Sequence, residues 1–285
     1  MSYLQILILA IIQGACELLP VSSSAHVIIA EKLMRLDPSS PEMTMLLVML
    51  HTGTMFAVIV YFWGGWKRDY FSSPMMAKDF VIQVIIASII TVAIALGLQF
   101  LIKKYYLHGA KDADIENLFS NLPLIAIALT AVGLLIIYAG FHEGKSSRNH
   151  DVRLHHSVTI GIVQAFCLPF RGFSRSGATI STGLLLGLPK RKIEEFSFAL
   201  AVVLTPLVVA KEGKRLLNEH ALSGQGSVLH LFIPGLVGMV LSFLAGLLAL
   251  QWLSRWLEGG RWKFFGFYCL AAAAVVFYLS RQLLA

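Results

Sequence analysis

The sequence has few charged residues and few cysteines for its length, and both shortages exclude classes of protein. Only 14% of its 285 residues are charged, whereas 57% are hydrophobic. Apolar runs this long exceed what a soluble core of this size needs, so we predict an integral membrane protein. The three cysteines have no CxxC or similar metal-ligand spacing, which favours buried small hydrophobes over a thiolate metal site.

The sequence also lacks a basic stripe with interleaved aromatic residues, although its net charge is +7. The basic residues are spread over short loops, which excludes a nucleic acid partner and fits contact with anionic lipid head groups. The segment Met1–Ile12 is apolar but has neither a basic leader nor a small-residue cleavage site. We therefore expect it to remain part of the folded protein.

Apolar runs of about 20 residues predict helices that cross a hydrocarbon core of roughly 30 Å. Five runs reach this length and a sixth is shorter. The predicted fold is an all-α integral membrane protein with about six transmembrane helices. The runs are Met43–Trp63, Phe80–Ile102, Leu122–Phe141, Leu229–Leu253 and Trp262–Leu283, and the shorter one lies near Phe196–Ala210.

Two other apolar segments, residues 1–33 and 157–188, are interrupted in the middle by proline, glycine and hydroxyl residues. Neither half of either segment is long enough to span a bilayer. Irregular backbone is tolerated at membrane depth only where protein or a water-filled cavity satisfies its polar groups. We therefore predict two re-entrant helix-loop-helix hairpins, the first hairpin and the second hairpin.

The two hairpins have similar sequences, in which an apolar helical run is followed by Gln, Cys and Pro and then by hydroxyl residues. Three predicted spans separate them, so the hairpins should enter from opposite faces. This arrangement predicts an inverted-topology repeat within one membrane domain of residues 1–285, with repeat 1 at about 1–110 and repeat 2 at about 157–285. Without the motif residues Arg171 and Arg175, the membrane face that carries the second hairpin holds twelve Lys and Arg residues and the opposite face holds nine. This excess places the entry of the second hairpin on the cytoplasmic side.

Glu17 is the residue of the first hairpin that most needs an explanation. An unpaired carboxylate at membrane depth costs several kcal/mol, so Glu17 requires a partner, a proton or a metal ion. Gln13 lies four residues earlier on the same helical face, and its amide oxygen could complete a divalent-cation site with Glu17 or orient a water. A purely structural ion pair is the alternative.

Three serines follow Pro20 in the first hairpin, and His26 lies within one turn of them. An imidazole at this distance could take a hydroxyl proton, but which serine faces it depends on loop dihedrals that the sequence does not give. Our hypothesis is that Ser23 attacks a phosphorus atom with His26 as base. Direct attack by water, with His26 or Glu17 as base, stays open. His51, inside the first span, is either a functional group or a hydrogen-bonded packing histidine.

Residues 172–179 of the second hairpin combine glycines, hydroxyls and one guanidinium, which predicts a phosphate cradle centred on Arg175. A glycine- and serine-rich turn with an arginine that reaches the interface is the alternative. Arg171 is either such an interfacial residue or a second phosphate contact. The candidate phosphate-binding residues are Ser22, Ser24, Ser174, Ser176, Thr179, Arg171, Gln164 and His51.

Together with the spans, these motifs resemble the undecaprenyl-diphosphate phosphatase family associated with bacitracin resistance. The family pattern of Glu or Gln, three residues and Glu falls on Gln13 and Glu17, and its histidine on His26. Its Leu-Pro-Val-Ser-Ser stretch falls on Leu19–Ser23, and its second signature on Pro169 and residues 172–179. The chain departs from the family pattern twice, at Gln13, where many members have Glu, and at the inserted residues 170–171.

The resemblance implies hydrolysis of undecaprenyl diphosphate to the monophosphate and inorganic phosphate, which recycles the lipid carrier of peptidoglycan. It implies dependence on a divalent cation, Mg²⁺ or Ca²⁺, and a site that opens to the periplasm from a bacterial inner membrane. The expected partners are a polyprenyl diphosphate and membrane lipids, and a homodimer is left open. A transporter or lipid flippase is the main alternative, and a structural scaffold ranks last because it leaves the titratable residues unexplained.

Overall fold

The computed structural model of the chain describes residues 1–37, 40–105, 121–142, 151–223 and 229–284. Regular secondary structure within these ranges is entirely α-helical, which confirms the predicted all-α fold. The helices are α1 Tyr3–Leu18, α2 Ser23–Leu33, α3 Pro41–Asp69, α4 Pro74–Tyr105, α5 Leu122–His142, α6 Leu154–Ala165, α7 Arg175–Leu185, α8 Lys190–Ser223, α9 Leu229–Glu258 and α10 Trp262–Leu284.

Within the residues that the structure describes, five helices are long and apolar enough to cross a bilayer, as a multi-pass membrane protein requires. They are Glu42–Asp69, Pro74–Tyr105, Leu122–His142, Phe232–Glu258 and Trp262–Gln282. The sixth predicted span, near Phe196–Ala210, lies within α8, which has 34 residues.

The predicted hairpin segments each contain two short helices with a break between them. In the first hairpin, α1 has 16 residues and α2 has 11, and in the second, α6 has 12 and α7 has 11. At about 1.5 Å per residue, none of these helices crosses a hydrocarbon core of roughly 30 Å. The helix-loop-helix pattern is thus present, and the entry of the two segments from opposite faces remains a prediction.

Two unusual backbone conformations mark the breaks. Ser22, just before α2, has φ 68°, and Gly172, before α7, has φ 101°. A side chain at position 172 would also place its Cβ 2.6 Å from the backbone oxygen of Ile125 in α5. Glycine is required there both for its left-handed conformation and for the close approach of another helix.

Each hairpin packs against a span from the other half of the chain. Helix α1 contacts α9, and α6 contacts α4. Both contacts involve glycine, since a Cβ at Gly14 would lie 2.7 Å from the Ser242 oxygen and one at Gly161 would lie 2.7 Å from the Ala87 oxygen. Small residues allow membrane helices to approach this closely. The two hairpins are therefore fixed to the body of the protein by backbone contact.

The loops of the two hairpins meet in the interior. The Ser176 hydroxyl of the second hairpin donates a hydrogen bond to the Leu19 oxygen of the first, at 3.3 Å. One buried apolar cluster also includes residues of both hairpins, among them Leu18, Val21, Ala178 and Ile180. Helices α3 and α8, which follow the hairpins, contact each other. This packing brings the end of α1 next to the start of α7.

Candidate active site

The Glu17 carboxylate, near the end of α1, is the centre of the polar residues between the hairpins. Its Oε1 accepts a hydrogen bond from Arg175 Nη2 at 3.0 Å, and the two side chains are each 18% exposed. Its Oε2 accepts from the Ser23 hydroxyl at 2.6 Å and from Gln13 Nε2 at 3.2 Å. The structure therefore brings together the acid of the first hairpin and the guanidinium of the second.

Arg175 is the first residue of α7, whose start is fixed by Ser174 as the N-cap. The Ser174 hydroxyl accepts a hydrogen bond from the backbone N–H of Gly177 at 3.3 Å. Arg175 uses Nη2 to bind Glu17, but its Nη1 is buried and finds no hydrogen-bond partner in the described part of the chain. Since an unpaired buried donor is costly, Nη1 is suited to an additional anionic oxygen.

A small, partly open cavity lies beside this ion pair. It is lined by Glu17 and Arg175, by Leu18 and by side chains of α3 and α8. The lining residues of these two helices are Thr54, Met55, Val58, Ala201, Val202 and Thr205. A lining that combines this ion pair with mostly apolar side chains matches an amphiphile with an anionic head and a hydrocarbon tail.

Ser23 and His26 are not paired as the sequence predicted. Ser23, the first residue of α2, directs its hydroxyl to Glu17. One turn later, His26 places Nδ1 2.8 Å from the Ser22 backbone oxygen and Nε2 2.8 Å from the Tyr268 hydroxyl of α10. The group in contact with the Ser23 proton is therefore Glu17, because the start of α2 faces α1 whereas the side of α2 that carries His26 faces α10.

Ser22 and Ser24 lie next to Ser23 but have different contacts. Their hydroxyl oxygens are 3.3 Å apart and bond to each other. The uncommon backbone of Ser22, with φ 68° and ψ 96°, places its carbonyl against the His26 ring. Such conformations cost about 1–3 kcal/mol and persist where the surrounding structure enforces them. The turn thus orients His26 and leaves Ser23 as the serine in contact with the acid.

His51, in α3, lies on another side of Glu17. Its Nε2 is 3.9 Å from Glu17 Oε2, and its Nδ1 is 2.8 Å from the Leu47 backbone oxygen. Because a carbonyl only accepts, Nδ1 carries a hydrogen and Nε2 faces the carboxylate. Its position beside Glu17 favours the functional alternative for His51 over a packing role.

Several predicted phosphate contacts bond to other helices. Thr179 is fully buried, and its hydroxyl lies 2.6 Å from that of Ser197 in α8. Gln164 is also fully buried and donates from Nε2 to the Thr91 hydroxyl of α4 at 3.0 Å. Together with the bond from Ser176 to the first hairpin, these contacts hold helices in place. Of the predicted cradle, Arg175 is the residue that lines the cavity.

The glutamine of the first motif does not offer its oxygen to Glu17. A carboxylate only accepts, so the amide nitrogen of Gln13 faces Oε2, and an ion shared by the two side chains would require the amide to rotate. The described residues contain no group of three or more His, Cys, Asp or Glu that could hold a metal ion. Glu17 can still bind a divalent cation together with substrate phosphates, as single carboxylates do for Mg²⁺.

Arg171, one of the two inserted residues, is exposed, and its charge acts on Glu31 of α2. The Glu31 side chain is only 4% exposed, so its carboxylate needs a nearby positive charge or a proton. Arg171 therefore links the second loop electrostatically to the first hairpin. A phosphate contact by Arg171 remains a prediction.

The Arg171→Ala variant should be less stable than the wild type by at most about 1 kcal/mol, because Arg171 is exposed and the buried Glu31 carboxyl can take up a proton when this charge is lost. A lower melting temperature of the purified protein in detergent would show the effect. The double variant Arg171→Ala/Glu31→Gln should recover most of the loss, since it removes the stranded acid as well. Equal melting temperatures for wild type and Arg171→Ala would contradict this role.

Tyr268 is the residue of this region that the sequence did not indicate. It lies in the apolar helix α10, 242 positions from His26, and no motif surrounds it. Only the three-dimensional contact of α10 with the first hairpin identifies it. Cys269, the next residue, also reaches this hairpin and donates from Sγ to the Pro20 oxygen at 3.3 Å.

Comparison with known proteins identifies similar chains over the full length. The family model for bacitracin resistance protein BacA matches residues 6–275. Undecaprenyl-diphosphatase 2 of Acinetobacter baylyi is 57% identical, covering 98% of this chain and 99% of its own. Undecaprenyl-diphosphatases of Bacteroides fragilis and Rhodopirellula baltica are 30% and 32% identical, over 99% and 97% of this chain and 99% and 98% of theirs. These names denote a phosphatase and give no support to the transporter alternative.

Proposed function

The chain belongs to the BacA family of bacitracin resistance proteins, and from this membership we infer that it is a membrane enzyme that hydrolyses undecaprenyl diphosphate to undecaprenyl phosphate and inorganic phosphate. One observation supports this activity most directly. Arg175 pairs with Glu17 through Nη2, keeps a buried Nη1 without a partner among the described residues, and lines a cavity that also has apolar side chains. A guanidinium with a free pair of donors is suited to the oxygens of a diphosphate.

In the substrate complex we propose, the terminal phosphate lies against Arg175, and the first isoprenoid units follow the apolar wall formed by α3 and α8. Val58 and Ala201 are examples of the side chains on this wall. The tail moves from one apolar medium, the bilayer, to another, so this wall guides the tail by packing while the arginine binds the head group. Ser174 and Ser176 stay candidates for second contacts to the phosphate.

The first chemical step uses the pair formed by Ser23 and Glu17. The serine oxygen attacks the terminal phosphorus while its proton passes to Glu17 Oε2, which already accepts its hydrogen bond at 2.6 Å. The bond between the terminal phosphorus and the bridging oxygen breaks, and undecaprenyl phosphate leaves with the electron pair of that bond. Arg175 stabilises the charge on the transferred phosphoryl oxygens, which is the main requirement of phosphoryl transfer.

In the second step, water attacks the phosphorus of the phosphoserine. The bond from phosphorus to the Ser23 oxygen breaks, the proton held by Glu17 returns to that oxygen, and the proton of the attacking water stays on the phosphate. Inorganic phosphate then leaves. Direct attack by water without a phosphoserine is the variant of this mechanism, with Glu17 as base.

A divalent cation, Mg²⁺ or Ca²⁺, remains part of the proposal. Glu17 would hold it together with diphosphate oxygens, and Gln13 would be a further contact after rotation of its amide. When bound, such an ion supplies positive charge that offsets the negative charge of the diphosphate.

We place the enzyme in the inner membrane of a bacterium with its site open to the periplasm. The five membrane-crossing helices support a multi-pass protein. Hydrolysis there would return the monophosphate form of the lipid carrier to the synthesis of peptidoglycan and other envelope polymers, and would confer bacitracin resistance. The inverted-topology repeat and a homodimer remain proposals alongside this location.

The function is tested with purified protein in detergent, supplied with undecaprenyl diphosphate. We expect inorganic phosphate to be released, to stop after addition of EDTA, and to resume with excess Mg²⁺ or Ca²⁺. Heat-inactivated protein is the control for spontaneous hydrolysis. Absence of phosphate release from folded wild-type protein with cation present would refute the phosphatase assignment, whereas release that EDTA does not change would refute only the cation dependence.

A further inference from the structure

Thr205 of α8 is a cavity-lining residue whose hydroxyl has not been assigned a role. A threonine hydroxyl in a helix ordinarily donates to a carbonyl one turn earlier, as Thr52 and Thr130 do at 2.8 Å. Thr54, which also lines the cavity, donates to the His51 backbone oxygen at 2.9 Å. Thr205 is half-buried and makes no hydrogen bond within the described part of the chain. Its hydroxyl is therefore available to a molecule that enters the cavity.

Two contacts between α7 and α8 show how these helices are aligned. They are joined by the short connection 186–189. A Cβ at Gly183 would meet the side chain of Ile193, and the hydroxyl of Thr179 lies 2.6 Å from that of Ser197. The contact position falls by four residues on α7 as it rises by four on α8, so the two helices run antiparallel.

This alignment places Thr205 in front of the first turn of α7. One turn beyond the contact of Thr179, Ala201 comes to lie beside Arg175, in agreement with the fact that both line the cavity. A further four residues along α8, about 6 Å, lead to Thr205, at a level where α7 has not yet begun. The cavity is thus lined by two residues that have donors without a partner among the described residues, the Arg175 Nη1 group and the Thr205 hydroxyl.

We propose that the Thr205 hydroxyl binds the phosphate that stays on the lipid, while Arg175 binds the terminal phosphate. This inference rests on the proposed function. Arg175 is bonded to Glu17, which contacts the attacking Ser23 hydroxyl, so the phosphate beside Arg175 is the one that is attacked. The second phosphate then lies toward the wall that the tail follows, and Thr205 is the polar side chain that α8 contributes to this wall. The hydroxyl donates a hydrogen bond to a phosphate oxygen, and no proton is transferred.

Three variants separate the hydroxyl from the shape of the side chain. Thr205→Val keeps the branched shape and loses the hydroxyl, whereas Thr205→Ser keeps the hydroxyl and loses the methyl group. Thr130→Val is the matched control, because Thr130 is an exposed residue of α5 whose hydroxyl donates to the Ala126 oxygen of its own helix. It removes an equivalent hydroxyl from a residue outside the cavity lining.

We expect Thr205→Val to raise KM about tenfold and to leave kcat within about threefold, because the hydrogen bond is present in the bound substrate as well as in the transition state. Thr205→Ser and Thr130→Val should stay within about twofold of the wild type in both constants. Initial rates of phosphate release from undecaprenyl diphosphate by purified protein in detergent give these values.

Product inhibition identifies which phosphate Thr205 contacts. With substrate labelled in its terminal phosphate, release of the label can be followed in the presence of either unlabelled product. In Thr205→Val, the inhibition constant of undecaprenyl phosphate should rise about tenfold, because this product retains the phosphate on the lipid. The inhibition constant of inorganic phosphate should stay within about twofold of the wild type.

Three outcomes would overturn the inference. The first is a KM for Thr205→Val equal to that of Thr130→Val. The second is an equal rise of KM in Thr205→Ser, which would assign the effect to the methyl group. The third is weaker inhibition by inorganic phosphate with unchanged inhibition by undecaprenyl phosphate, which would place Thr205 at the terminal phosphate. None of these outcomes touches the phosphatase activity itself, which fails only if the wild type releases no phosphate.

Discussion

The Arg175→Ala variant is expected to release phosphate at least about 1,000-fold more slowly than the wild type, because phosphoryl transfer depends on positive charge placed at the developing charge. In the structure Arg175 is the cation that lines the cavity, bonded to Glu17 at 3.0 Å and with Nη1 unpartnered. The initial rate of phosphate release by purified protein is the measurement. Arg175→Lys should also be impaired, by about 100-fold, since an ammonium cannot bind two oxygens in one plane.

In Arg175→Ala, a loss of stability has to be distinguished from a loss of catalysis. Removing Arg175 leaves Glu17 partly buried without its counter-ion, which costs about 3–5 kcal/mol for a buried pair. The double variant Arg175→Ala/Glu17→Gln removes both charges, so it should regain thermal stability and remain inactive. Arg281→Ala, at the exposed end of α10, should behave as the wild type. Substantial activity in a folded Arg175→Ala protein would contradict the proposed role.

The Ser23→Ala variant should lose activity by about 1,000-fold or more, because it removes the attacking oxygen. Ser24→Ala is the matched control, since the Ser24 hydroxyl bonds to Ser22 whereas that of Ser23 bonds to Glu17. We expect less than about a threefold change for the control. Both variants keep the start of α2, because Ser22 precedes this helix without a side-chain capping bond.

Rapid quenching of the wild type with substrate labelled in the terminal phosphate should trap the label on Ser23. Mass spectrometry of the quenched protein would locate it. An unlabelled protein, together with a Ser23→Ala variant of nearly wild-type rate, would instead establish direct attack by water with Glu17 as base. The two mechanisms therefore give opposite results in the same pair of measurements.

Much of the fold could be predicted from the sequence because hydrophobic length and broken backbone have direct structural causes. The five long apolar runs correspond to the five helices that can cross a membrane. The interruptions around Pro20 and Gly172 became the breaks between α1 and α2 and between α6 and α7. The meeting of Glu17 with Arg175 followed from the cost of an isolated charge at membrane depth, which requires a partner.

The hydrogen-bond partners of the site residues could not be predicted, because the sequence does not show which way their side chains point. His26 is close to Ser23 along the chain, yet it lies on the side of α2 that faces α10 and contacts Tyr268. The Ser23 hydroxyl donates its hydrogen bond to Glu17. Thr179 follows Arg175 by four residues, but its hydroxyl bonds to α8. Tyr268 has no local signal, because a tyrosine in an apolar helix is ordinary. The partners of these side chains are determined by packing between helices that are distant in the sequence, so only the three-dimensional structure shows them.

The ion pair between Arg175 and Glu17 has a consequence for antibacterial chemistry. A compound that mimics a phosphate meets, beside the arginine, a carboxylate that is covalently part of the protein and repels its negative charge. Small anions therefore begin at a disadvantage in this site. Compounds that join one acidic group to a long apolar tail are concentrated in the bilayer by that tail, so they should compete for this site where compact phosphate mimics fail.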